Sequence, residues 1–115
     1  MSQEIPPEVQ EQIQKLQGLQ NQVQSIRAQV DSLQRQLNED KATLKEIEGL
    51  NEEVELYKAV GRVMFKSTVK QVRTEISDEV ELLELKVGTL KKQEERSRKQ
   101  FEELNTKLSQ QIGNQ

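Results

Sequence analysis

From Leu19 onward the apolar positions of the first half recur three and four residues apart, at Leu19, Val23, Ile26, Val30, Leu33 and Leu37, then at Leu44 and Ile47. This alternation is the a/d stripe of a heptad repeat and predicts a long helix with one narrow apolar seam. The step at 40, where the seam calls for an apolar residue, holds Asp40. A second stripe follows at Val69, Val72, Ile76, Val80, Leu83, Val87 and Leu90, is interrupted by Glu94 and Ser97, and resumes at Phe101, Leu104, Leu108 and Ile112. Its step of four through Ile76 and Val80 is a stutter, and Gly113 is the expected stop. Between the stripes lies Val54 to Lys66, V-E-L-Y-K-A-V-G-R-V-M-F-K, the one segment dense in β-branched and aromatic residues. It predicts a β-hairpin.

The expected elements are a first coiled-coil helix over 8–53, a hairpin over 54–66 and a second coiled-coil helix over 68–112, within one domain of 1–115. Pro7 suits a first helical position, because its missing N–H would have no partner there. Thr68 with Gln71 fits a capping box at the start of the second helix. Gly18 sits where the first stripe breaks register, and predicts looser opening turns. Two helical halves of matched length on either side of a bend argue for an antiparallel helical hairpin. Positions whose numbers add to about 121 then face each other, with the usual error of a few residues. The polar seam residues are read as setters of register or partner choice.

With Gly61 and Arg62 as a two-residue turn, Gly first as type II′ prefers, the cross-strand pairs are Val60 with Val63, Ala59 with Met64, Lys58 with Phe65 and Tyr57 with Lys66. One face then carries Leu56, Val60, Val63 and Phe65, and the other Tyr57, Ala59 and Met64. Two partly apolar faces and two open edges make a lone hairpin marginal in water. The reading is an oligomer joined through strands, with Leu56, Tyr57, Val60, Gly61, Val63, Met64 and Phe65 as the assembly surface. A continuous coiled coil with a buried helical turn at this point is the competing reading.

Composition narrows the function. The 115 residues are 32% hydrophobic, 3% aromatic and 32% charged, too polar for a closed globular core. Seventeen basic residues nearly balance twenty acidic ones, so no global field recruits nucleic acid or an anionic membrane. Eleven Gln within the first thirty-six residues fall between seam positions, as a solvated face. There is no Cys and no His, which removes thiol nucleophiles, imidazole bases and the usual zinc ligand sets. The acidic groups Glu52, Glu53, Glu55 and Asp78, Glu79, Glu81 read as solvated faces rather than acid–base pairs. Basic residues from Lys91 to Lys99 interleave with Glu94 and Glu95 at i to i+4 spacing, which explains them without phosphate. No Gly-rich phosphate loop is present. No enzyme activity, cofactor, metal, nucleic acid or membrane partner is expected. The N-terminus shows neither signal peptide nor membrane span, which makes cytosol or nucleus the default.

Tyr57-Lys58-Ala59-Val60-Gly61-Arg62-Val63-Met64-Phe65 between two long heptad helices resembles the β-type subunits of prefoldin, most of all a eukaryotic member; Leu83-Glu84-Leu85-Lys86 to Gln93-Glu94 adds to the likeness. Gly88 and Ser97 depart from the helix formers expected there. The resemblance implies a heterohexamer of two α-type and four β-type subunits, whose hairpins form an intersubunit β-barrel body with coiled coils projecting from it. It also implies ATP-independent chaperone activity, in which unfolded clients such as actin and tubulin are held at the coiled-coil tips and passed to the cytosolic chaperonin. The residues supply a candidate client surface at those tips: Ile5, Val9, Ile13 and Leu16 with Leu104, Leu108 and Ile112. Ordinary paired seam residues are the competing reading there. For the whole chain, the alternative is a structural or tethering coiled coil that self-associates.

Overall fold

The computed structural model describes residues 5–113. The order is helix α1 (Pro7–Glu46), strand β1 (Glu55–Val60), strand β2 (Val63–Thr68) and helix α2 (Val69–Gly113). The fold is mainly helical, two long helices with a two-stranded antiparallel hairpin between them in sequence. α1 begins at Pro7, where the Pro6 carbonyl accepts from the N–H groups of Val9 and Gln10, both at 3.0 Å. Glu8 in the first turn and Lys45 in the last complement the helix dipole. The helix passes through Gly18 without interruption. The chain divides into two compact units, Ser32–Val87 and Met1–Asp31 with Gly88–Gln115.

In the unit of residues 32–87, Leu37, Ile47, Val69, Leu83 and Val87 are buried, and Leu33, Leu44, Val72, Ile76 and Val80 are half-buried. These are the predicted seam positions of both stripes. Lys41 on α1 pairs with Glu84 on α2 at 3.3 Å, and Arg73 Nη2 donates to the Ile47 carbonyl at 3.3 Å. Numbers rise along one helix as they fall along the other, so the helices are antiparallel here. The register lies within about one helical turn of the estimate.

Helix α1 ends at Glu46, seven residues short of the predicted 53. Residues 47–54 instead form a tight connection. Glu48 N–H donates to the Lys45 carbonyl at 3.3 Å and Leu50 N–H to the Ile47 carbonyl at 3.1 Å. Asn51 Oδ1 accepts from Glu53 N–H, and the Asn51 carbonyl from Val54 N–H, both at 3.1 Å. These local turns, centred on Gly49 and Asn51, end the helix early, and the connection also serves α2, whose first N–H groups have no partners inside the helix. Val69 N–H donates to the Val54 carbonyl and Lys70 N–H to the Glu52 carbonyl, both at 3.0 Å. Residues needed as acceptors there cannot remain in α1.

The hairpin pairs Glu55↔Thr68 through Val60↔Val63, which includes all four predicted pairs. Strand β2 continues two residues past the predicted 66, because Ser67 and Thr68 stay in the ladder opposite Leu56 and Glu55. Gly61 has φ 58°, and no non-Gly residue among the described residues has positive φ. Arg62 therefore sits at negative φ, which excludes a type I′ turn and agrees with type II′.

In the unit formed by 1–31 and 88–115, Leu19, Val23, Ile26 and Leu108 are buried with Ser97, and Leu16, Val30, Leu90, Phe101 and Leu104 are half-buried. Glu94 occupies a seam position with its side chain only 18% exposed. Both Nε and Nη2 of Arg27 donate to its Oε1, at 3.2 and 3.1 Å, and Arg98 lies 3.8 Å from the same oxygen. Two cations thus offset one desolvated carboxylate. Helix α2 includes Gly113, the residue expected to stop it.

Candidate functional site

The assembly surface is built by β1 and β2. Its register puts Leu56, Lys58, Val60, Val63, Phe65 and Ser67 on one face and Glu55, Tyr57, Ala59, Met64, Lys66 and Thr68 on the other. Tyr57, Val60, Val63, Met64 and Phe65 are exposed at 65, 52, 53, 67 and 53%, and Leu56 is half-buried. Large apolar side chains therefore face solvent on both sides of the sheet. Surface ion pairs flank them: Lys66 with Glu55 at 2.9 Å across the strands, and Lys58 with Glu75 of α2 at 2.8 Å. On the first face, Val60, Phe65, Ser67, Lys70 and Thr74 line a groove of about 790 Å³ beside the start of α2.

Where strand becomes helix, Thr68 has two roles. Its backbone closes the ladder against Glu55, and its Oγ1 accepts from Gln71 N–H at 3.2 Å as an N-cap. The expected capping box is half formed. Gln71 Oε1 accepts from Ser67 Oγ at 3.0 Å, on the residue before the cap. Val69, immediately after, is fully buried.

The candidate client surface lies at the N-terminal end of α1 and the C-terminal end of α2. Ile5 and Ile112 are exposed at 49 and 59%; Val9, Ile13, Leu16 and Leu104 are half-buried. Leu108, only 4% exposed, is a core residue of its unit. Nearby, the amide oxygen of Gln12 is buried with no hydrogen-bond partner among the described residues.

Asp40 on the seam stands against Glu79 of α2. The Asp40 carboxylate raises the Glu79 carboxyl above the ordinary range, desolvation and a hydrogen bond with Asp40 add to this, and Lys58 opposes it. Asp40 Oδ2 is buried without a hydrogen-bond partner among the described residues. No cluster of three or more acidic residues able to hold a metal occurs among the described residues. Nor is any helix among them long and apolar enough to cross a membrane.

Sequence reasoning gave no surface role to Leu82 and Leu85, exposed at 51 and 70% beside the buried seam residues Leu83 and Val87. The available signal was two leucines off the heptad stripe. It also left out Arg73, whose donation to the Ile47 carbonyl ties α2 to the end of α1.

Two long helices joined in sequence by a hairpin with solvent-facing apolar side chains on both faces define a subunit architecture. The family described as Prefoldin subunit matches residues 10–115. A prefoldin subunit beta of Methanothrix thermoacetophila is 39% identical over 113 residues, covering 98% of this chain and 94% of that one. One of Saccharolobus islandicus is 37% identical over 112 residues, covering 97% and 89%. The crystal structure of the prefoldin beta subunit from Thermococcus strain KS-1 superposes with a TM-score of 0.84 at 32% identity, covering 95% of this chain and 96% of that one. The chain belongs to the prefoldin family, a family of chaperones, as a β-type subunit.

Proposed function

We propose that this subunit assembles with α-type and other β-type prefoldin subunits into a cytoplasmic heterohexamer that captures unfolded proteins, such as actin and tubulin, without ATP and transfers them to the cytosolic chaperonin. The observation that carries the assembly step is the exposure of Tyr57, Val60, Val63, Met64 and Phe65 over both faces of the hairpin. Burying such side chains stabilises association by about 25 cal/mol per Å² of apolar area. Strand edges supply backbone donors and acceptors for the same contact, so hairpins of several subunits close into a barrel that leaves no edge open.

Client capture is assigned to the helix ends, through Ile5, Val9, Ile13, Leu16, Leu104, Leu108 and Ile112. Ile5 and Ile112 are available without rearrangement, whereas Leu108 contributes only if the terminal turns open. Non-directional apolar contact suits clients that share exposed hydrophobic segments and no common sequence.

The test is the assembled complex carrying this subunit without residues 1–16 and 105–115. Its subunit stoichiometry stays unchanged and its suppression of client aggregation weakens, modestly if other subunits also supply ends. Undiminished suppression removes the helix ends from the mechanism. A homo-oligomer of defined mass formed by this chain alone, with no incorporation of α-type subunits, favours the tethering coiled coil instead.

A further inference from the structure

We propose that the outer face of α2 around Leu82 and Leu85 is a docking surface for a basic amphipathic helix of a partner protein, separate from both the hairpin and the helix ends. Leu82 and Leu85 are three residues apart, hence neighbours on one side of the helix, and both are more than half exposed. Asp78 lies four residues before Leu82 and Glu81 four before Leu85, so the four side chains form one compact patch, apolar at one end and acidic at the other. Asp78 and Glu81 are exposed and make no ion pair among the described residues.

The charge around the patch is only partly offset locally. From Thr74 to Leu85 the helix carries Glu75, Asp78, Glu79, Glu81 and Glu84 and no cation. Glu75 and Glu84 are paired with Lys58 and Lys41, and Glu79 faces the further acid Asp40. The unit of 32–87 holds nine basic and twelve acidic residues, the entire net charge of −3, since the other unit has eight of each. An occupant that covers Leu82 and Leu85 with aliphatic side chains and places Lys or Arg against Asp78 and Glu81 matches the patch in both respects. Lys86, one turn beyond Leu82, disfavours a cation at the opposite end and gives the docked helix a direction.

A second copy of this chain fits poorly. Its basic stretch, Lys91 to Lys99, is interleaved with Glu94 and Glu95, and the flanking Leu90 and Phe101 are half-buried in the seam of their own unit.

The experiment uses the assembled complex and two helical peptides with a Leu pair three residues apart, one carrying two Lys a turn from the pair and the other two Glu at the same places. The Lys peptide binds at least about tenfold more tightly, with an affinity that falls as salt rises. Leu82→Gln with Leu85→Gln, which retains helix propensity, removes that binding without altering the mass of the complex. Asp78→Lys with Glu81→Lys inverts the preference toward the Glu peptide. Equal binding of both peptides, binding indifferent to the leucine variants, or a change in mass on replacing the leucines, as for a face buried between subunits or copies, each overturns the proposal.

Discussion

Arg27 and Glu94, on different helices of one unit, are joined by two hydrogen bonds to a single carboxylate oxygen, at 3.1 and 3.2 Å. Glu94 occupies a position the heptad reserves for an apolar side chain, so the bond is a condition for burying it. Arg27→Ala leaves the half-buried carboxylate with only the more distant Arg98, and is expected to destabilise by about 1–2 kcal/mol. Glu94→Leu removes the desolvated charge and fills the seam, and is expected to be neutral or stabilising. Urea unfolding of the two variants, followed by circular dichroism, reads both effects.

Gly61 stands at φ 58° with open space where a side chain would begin. Any penalty for Gly61→Val therefore comes from the backbone rather than from a clash, at about 1–2 kcal/mol. Incorporation of the variant into the complex should fall, while the helical signal of the chain persists. Full incorporation would refute a turn that requires the left-handed region.

Thr68→Ala removes the hydroxyl that caps Gln71 N–H and leaves the Glu55 pairing in place. A loss of about 1 kcal/mol is expected, with Thr68→Ser retaining most of the stability. Chemical denaturation of the pair separates the cap from the strand, since both variants retain the backbone ladder.

Glu79 has its carboxyl raised by Asp40, so the folded state holds a proton more readily than the unfolded chain. Its contribution therefore becomes more favourable as pH falls through the folded value, and less favourable towards neutrality. Glu79→Gln should be slightly more stable than the parent at pH 7, by a few tenths of a kcal/mol for so exposed a group. That advantage should shrink as pH is lowered below the raised value. Thermal unfolding of the two proteins across this range checks the sign; a gap that widens on acidification contradicts it.

Val63→Pro removes a ladder donor beside the turn, where Val63 pairs with Val60. The helices should remain helical by circular dichroism while assembly with other subunits is lost. Normal incorporation would contradict joining through strands.

Much of this protein is legible in its amino-acid sequence. The spacing of Leu19 to Ile47 and of Val69 to Leu108 determined which side of each helix is buried, because a seam of period three and four has only one inward side. Gly61 determined the hairpin register, because a two-residue turn leaves no freedom in pairing. Gly49 and Asn51 marked the region where α1 stops, but tertiary structure decided the exact end, since Glu52 and Val54 supply carbonyls to the unpaired N–H groups at the start of α2. It also decided what surrounds the polar seam residues: Glu94 meets two arginines, whereas Asp40 meets another acid. Finally, it left Leu82 and Leu85, both off the stripe that holds Leu83, uncovered. Periodicity assigns an inward side but cannot say whether the rest of the helix surface is covered, because that depends on what packs across it in space.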